Sequence, residues 1–370
     1  MDLIKLSSSQ ISNTVRDEKQ INLFVTGVGN VGEKLLKQIL KQKKILKNKL
    51  NLSIRIIGIS NSTKMVFNKN GINLEFWKSK LKNGVKANEL LFKETAKKLN
   101  LINSVFVDNT ASEEISNLYN DYLSQSISIV TCNKIACSNK LSNYQNLIKL
   151  SIRHNCSFLY ETNVGAGLPI IDTLKNLINS GDKIISIQAV LSGSLNYIFN
   201  NYNNSNTFKK VVIKAIEEGY TEPNPKIDLS GIDVARKILI LIRESGKEIE
   251  ISEIINNSFV PKKCLDINSN KDFLTSLSEN ENHFKKLLNK AIKTKSKIKY
   301  VAEYKNEKAT VGIKYIPENH DFYNIEGSDN VVLFYTNRYQ KQPLIVKGAG
   351  AGSEVTAAGI FADILRVRRN

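Results

Sequence analysis

An apolar run of strand length, Ile21 to Thr26, passes directly into Gly27-Val28-Gly29-Asn30-Val31-Gly32. That turn opens a segment, Glu33 to Lys49, in which Leu35, Leu36, Ile39 and Leu40 recur at helical spacing. A strand, a G-x-G-x-x-G turn and a helix in immediate succession constrain the fold strongly. The first glycine permits the tight turn, the second lets a pyrophosphate approach the backbone, and the third lets helix and strand pack closely. Free N–H groups and the dipole at the helix N-terminus favour an anion there. The motif reads as a dinucleotide site; a glycine turn serving packing alone is the alternative.

The rest of the first half keeps the same rhythm. Ile54 to Ser60, Ser104 to Asp108 and Ile127 to Thr131 are of strand type, with helical segments between them. Alternating strands and helices imply a Rossmann-type, doubly wound parallel sheet. The pattern changes near Phe158. Strands are expected at Ile184 to Leu191, Lys297 to Tyr304, Thr310 to Tyr315 and Asn330 to Tyr335, with a helix at Ile170 to Asn179. A second Gly-rich turn, Gly348 to Gly352, leads into a helix from Val355 to Arg368. The expected architecture is α/β, the doubly wound sheet being joined by a second, α+β catalytic and dimerisation domain. Its divisions are a loose leader at 1–20, a cofactor domain at 21–157, a substrate and dimerisation domain at 158–345, and a segment at 346–370 that returns to the first domain.

Composition excludes some partners. The formal net charge is +18, but the lysines are scattered along the 370 residues, and their densest clusters lack aromatic interleaving or any nucleic-acid module. They read as solvated surface charges, so neither nucleic acid nor a membrane is expected as partner. No apolar run approaches the roughly 20 residues of a membrane span. Met1 to Lys5 does not begin a secretory signal, and the four cysteines show no framework spacing. A cytoplasmic protein with reduced thiols is expected.

The end of the second strand bears on the choice of dinucleotide. A carboxylate there would hold the ribose hydroxyls of NAD. This chain has Ser60-Asn61-Ser62-Thr63-Lys64 instead. With nothing to repel a 2′-phosphate, and Lys64 and Arg55 expected nearby, NADP is favoured over NAD.

The most informative stretch runs from Ala215 to Lys237. A helix ends at Gly219, Pro223 and Pro225 stiffen the next loop, and Ser230 suits the N-cap of a new helix carrying Asp233 and Lys237 four residues apart on one face. Asp233 could complete a capping box with Ser230, and Lys237 could be a plain surface partner of Asp233. Against the second reading, Val234, Ile238, Ile240 and Leu241 surround Lys237 on its helix, and a partly desolvated lysine makes a usable proton donor.

The pattern A-x3-G-Y-T-E-P-x-P-x2-D-L-x-G-x-D-x3-K over this stretch resembles the signature of homoserine dehydrogenases. The resemblance extends from about Ile21 to Ala362 through Thr131-Cys132-Asn133-Lys134, Glu161 to Pro169, Leu191 to Phe199 and Gly348 to Gly352. Its wording is closest to the dehydrogenase half of bifunctional aspartokinase–homoserine dehydrogenases, without the kinase half or a C-terminal regulatory extension. The resemblance implies NAD(P)H-dependent reduction of L-aspartate 4-semialdehyde to L-homoserine. Lys237 would be the general acid, Asp233 would orient it or bind substrate, and Glu222, with Asp228, would bind the substrate. Lys134 would stand beside nicotinamide and substrate. Cofactor contacts would come from Gly27 to Gly32, Asn61, Thr110, Ala111, Lys134 and Gly352. Glu161, Val164, Ala166 and Leu168 would supply oxygens, mostly of the backbone, to a sodium ion, and the second domain's sheet would build a homodimer. Asn109 and Cys132 depart from the family's usual residues. A basic nucleic-acid-binding protein and a catalytically silent relative are the other two readings.

Overall fold

The computed structural model describes residues 19–221 and 224–367. Its first sheet contains β1 (Lys19–Thr26), β2 (Leu52–Ser60), β3 (Lys64–Phe67), β4 (Val85–Lys86), β5 (Ser104–Asp108), β6 (Ser128–Thr131) and β7 (Phe158–Leu159). They lie in the order β4-β3-β2-β1-β5-β6-β7. The pairs β2/β1, β1/β5, β5/β6 and β6/β7 are parallel. The sheet is not wholly parallel as expected: β3 and β4 add antiparallel to its edge. These two strands are short and lysine-bearing, and β4 is exposed, so neither shows the apolar run of a buried parallel strand.

Strand order reverses at β1, with β2 on one side and β5 on the other, and ligands bind in open α/β sheets at such a switch point. Register makes the rim level there. Thr26 pairs with Ser60 and with Asp108, and Asp108 with Thr131. The turns beginning at Gly27, Asn61, Asn109 and Cys132 therefore leave one edge together.

The second sheet contains β8 (Ile184–Val190), β9 (Ile255–Asn257), β10 (Ser296–Lys305), β11 (Lys308–Pro317), β12 (Asp329–Thr336) and β13 (Leu344–Ala349), in the order β13-β12-β8-β10-β11-β9. Helices cover the face bearing Ile187, Ala189, Tyr300, Ala302, Val332 and Phe334. The last helix, Ser353–Val367, then packs on the first, Asn30–Leu50: Ala357, Ile360, Phe361 and Ile364 share a core with Leu35, Leu36 and Ile39. Lys34 pairs with Glu354 at 2.9 Å, and Gln38 donates to the Glu354 carbonyl at 3.0 Å.

A helix at Ile232–Glu244 carries Asp233 and Lys237, and it starts differently from the sequence expectation. A short helix, Pro225–Leu229, precedes it, and the cap is Gly231, in the left-handed region at φ 73°. Ser230 is not the N-cap residue; its hydroxyl donates to the Ile227 carbonyl at 2.8 Å and accepts only the Ile232 N–H, at 3.4 Å. The reason is steric. The turn passes so close to β10 that a Cβ on Gly231 would stand 1.9 Å from the Tyr300 hydroxyl. Gly231→Ala meets both the left-handed backbone and this clash, and is expected to cost about 2 kcal/mol or more in chemical denaturation. An unchanged midpoint would show that the turn does not fix this helix.

Candidate active site

The turn after β1 is built as a cradle. A Cβ on Gly32 would lie 2.3 Å from the Gly27 carbonyl oxygen, so the first helix begins almost in contact with the turn. At Gly29 a Cβ would meet nothing within 4 Å, which leaves that side open. No side chain caps the helix at Gly29, so its leading N–H groups face the opening. Both amide atoms of Asn109 are buried without a hydrogen-bond partner, and its Nδ2 lies 3.1 Å from the position of a Cβ on Gly32. An open glycine, uncapped N–H groups and a partnerless amide together fit a dinucleotide. Asn109 was not among the sequence candidates, because its orphaned state depends on how closely the turns after β1 and β5 approach.

The other cofactor candidates fall on the same rim. Thr110 stands against Gly27, its Cγ2 2.7 Å from where a glycine Cβ would be, and Ala111 follows it, exposed. The Asn61 side chain is spent within its own turn, accepting from the N–H groups of Thr63 and Lys64 at 2.9 and 2.7 Å. Lys64 Nζ donates to the Gly84 carbonyl at 3.1 Å. Arg55 is not nearby. It pairs in register with Asn22 and donates to Asn22 Oδ1 at 3.0 Å, five residues below the rim, or roughly 16 Å at the rise of a strand. Gly352 has φ 115°, and its carbonyl accepts the Thr356 N–H at 3.0 Å as the last helix begins.

Opposite this rim, Lys237 Nζ lies 2.8 Å from Asp233 Oδ2 and donates to the Leu191 carbonyl at 2.7 Å. Lys134 Nζ, from the turn after β6, approaches Asp233 Oδ1 at 3.5 Å. One carboxylate thus holds two ammonium groups brought by different parts of the chain. Burial acts to raise the Asp233 carboxyl, but Lys237 and then Lys134 outweigh it and hold the group well below the usual carboxylate range. The Lys237 side chain is 12% exposed and Asp233 39%, so the carboxylate is the more open of the two.

The Ser194 hydroxyl lies 2.8 Å from Asp228 Oδ1 and 2.7 Å from the Tyr220 carbonyl, two acceptors that share its one proton. Ser194 was missed as a candidate, although it lies within the Leu191 to Phe199 motif. Glu222 lies outside the described residues. Burial pushes the Cys132 thiol up to about 12, so it is no thiolate nucleophile near neutral pH.

Glu161 is committed elsewhere. Its carboxylate accepts the N–H groups of Ile171 and Asp172 at 2.7 and 2.8 Å, capping the helix Ile171–Asn179, and pairs with Arg366 at 3.2 Å. What Glu161 can offer an ion is its carbonyl, as Val164, Ala166 and Leu168 would theirs. The Glu161 and Leu168 carbonyls already accept one turn hydrogen bond each, from Val164 and Ile170. Among the described residues no cluster of three or more His, Cys, Asp or Glu could hold a metal.

The family model described as "Homoserine dehydrogenase" matches residues 169–365, and "Homoserine dehydrogenase, NAD binding domain" matches 27–161. The homoserine dehydrogenase of Schizosaccharomyces pombe is 36% identical over 359 residues, covering 94% of this chain and 95% of that protein. This chain belongs to the homoserine dehydrogenase family. A bifunctional aspartokinase/homoserine dehydrogenase of Haemophilus influenzae is 40% identical over 351 residues, 95% of this chain but 43% of that protein. The chain therefore spans about two fifths of the bifunctional relatives it matches. Among solved structures, a hyperthermophilic archaeal homoserine dehydrogenase in complex with NADPH superposes with a TM-score of 0.73 at 24% identity, covering 95% of this chain and 98% of that one. At that identity the likeness speaks for the fold. Among the described residues no helix is long and apolar enough to cross a membrane.

The depressed Asp233 carboxyl has a signed consequence. Its folded value lies below the unfolded 3.8, so its contribution to stability is present above about pH 4 and is lost as pH falls below it. Asp233→Asn should therefore melt lower than wild type at pH 7, with the difference starting to narrow below about pH 4 and shrinking further with each step into acid. A gap in melting temperature that persists undiminished in acid would contradict the pairing.

Proposed function

We propose that this chain catalyses the reversible NAD(P)H-dependent reduction of L-aspartate 4-semialdehyde to L-homoserine, a step toward threonine and methionine. The observation that carries the reading is the Lys237–Asp233–Lys134 cluster, joined through Lys134 to the level rim where the dinucleotide cradle opens.

Gly27, Val28, Gly29, Asn30, Val31 and Gly32 would hold the pyrophosphate end of the cofactor. Thr110, Ala111, Lys134, Asn61 and Gly352 would contact the remainder. When bound, NADPH supplies the hydride. As negative charge grows on the aldehyde oxygen, the Lys237 ammonium stabilises it and delivers a proton from Nζ. Asp233 Oδ2 and the Leu191 carbonyl leave one of the three ammonium hydrogens for that oxygen. Asp233 keeps the Lys237 ammonium aimed, and Glu222 and Asp228 would receive the substrate's α-ammonium. A preference for NADPH draws support from the absence of a carboxylate at 60–64 and from the archaeal relative solved with NADPH. A sodium ion on the carbonyls of Glu161, Val164, Ala166 and Leu168 suits an all-oxygen donor set. We assign cofactor binding to 21–157 with 346–370, and substrate binding and homodimer formation to 158–345. The expected setting is cytoplasmic.

Purified protein should oxidise L-homoserine with NADP at alkaline pH; folded protein that binds cofactor without turnover overturns the reading. Lys237→Ala should lower kcat by roughly 10²–10⁴-fold, with the NADPH Kd changing less than about threefold. Retained activity would remove Lys237 as donor. Arg55→Ala should leave the NADP/NAD ratio of kcat/KM within about twofold, since its side chain is far from the rim.

A further inference from the structure

Asp108 ends β5, beside β1 at the point where strand order reverses. Its carboxylate is fully buried, and among the described residues it makes no ion pair with a lysine or arginine. Three hydrogen-bond donors compensate it instead, and they come from different segments. Oδ1 accepts the N–H of Thr110 at 2.7 Å. Oδ2 accepts the Tyr119 hydroxyl at 2.6 Å and Asn133 Nδ2 at 3.1 Å. Burial pushes the carboxyl up, while these donors pull the other way.

Asn133 passes the constraint on. Its Nδ2 also donates to the Ser112 carbonyl at 2.8 Å, and its Oδ1 accepts the Ile135 N–H at 3.1 Å. Lys134 lies between Asn133 and Ile135, so the backbone is pinned on both sides of it. On the other branch, Thr110 is pinned against Gly27.

We propose that Asp108 is a positioning residue that sets the dinucleotide turn and Lys134 in register with each other, through Thr110 on one side and Asn133 on the other. It rests on the roles of Thr110 and Lys134 given above. The chemistry requires a carboxylate. Every partner presents a donor, so both oxygens must accept. An amide keeps one acceptor and turns an NH2 toward a donor, and the natural casualty is the contact with Asn133 Nδ2.

Asp108→Asn tests this, together with Lys134→Ala and the double variant, each checked for folding by circular dichroism. In the wild-type background Asp108→Asn should raise the NADPH Kd at least about fivefold and lower kcat/KM for homoserine at least about tenfold. With Lys134 already alanine, the kcat/KM loss should shrink to less than about threefold, because the path through Asn133 has nothing left to place. A folded Asp108→Asn whose only change is a lower melting temperature would make Asp108 a stitch between strands and overturn the proposal. Equal kcat/KM losses in both backgrounds would do the same. If Asp108→Asn does not fold, Asn133→Ser cuts the Lys134 branch alone. It should lower kcat/KM at least about fivefold with Lys134 present and far less without it, and equal losses again overturn the proposal. If wild type binds NADPH but never oxidises homoserine, the functional reading falls by itself. The NADPH Kd of Asp108→Asn then decides this inference, and an unchanged value ends it.

Discussion

Backbone meets backbone where the last helix crosses the loop at 161–168, and much of the site depends on that approach. A Cβ on Gly359 would lie 3.0 Å from Gly167 Cα, and one on Gly167 would lie 2.4 Å from the Val355 carbonyl oxygen. With no side chains between them, helix and loop come close enough for the charged groups further along to meet. Asp363 accepts the Glu161 N–H at 3.0 Å, and Arg366 bridges Glu161, Asp363 and Asp172. The Glu161 carboxylate in turn caps the helix Ile171–Asn179. The same last helix rests on the first helix through Glu354, so the dinucleotide turn and the carbonyl-rich loop are referred to one rigid element.

The electrostatics of the cleft follow from an imbalance. Two ammonium groups share one carboxylate at Asp233, which leaves a surplus positive charge in the cleft. Such a surplus in a partly desolvated site is aimed at charge that develops during reaction. Asp108, at the rim itself where β5 ends, shows the opposite solution: a buried carboxyl met by oriented N–H and O–H donors. Charge in the first case is left open to the cleft, and in the second the carboxyl holds backbone.

Much of this was legible along the chain. The strand at 104–108 was placed to the residue, and the helix carrying Asp233 and Lys237 was recognisable from its apolar periodicity. Legibility failed where structure is made by partners distant in sequence. β3 and β4 are too short to carry a strand-length apolar run, and they exist because β2 offers β3 an edge and β3 offers one to β4. Ser230 has the chemistry of an N-cap, but the crowding that hands the position to Gly231 comes from Tyr300, on another sheet. Arg55 lies close to Lys64 along the chain, but pairing with Asn22 sets its guanidinium at the far end of β2. The commitments of Glu161 to Arg366, 205 positions away, and of Asp108 to Asn133, 25 away, have no local signature at all.

The arrangement of the last helix also orders events in time. Gln38 and Glu354 touch across 316 positions, and Leu35, Leu36 and Ile39 are covered by Ala357, Ile360, Phe361 and Ile364. Closing so long a loop costs only modestly more at equilibrium than closing a shorter one, since the entropy grows with the logarithm of its length, but contacts of this separation form slowly. During synthesis the apolar face of the first helix leaves the ribosome hundreds of residues before its cover, and it stays open to water or a chaperone while the second sheet is assembled. The helix at 353–367 closes the lobe that the helix at 30–50 opens.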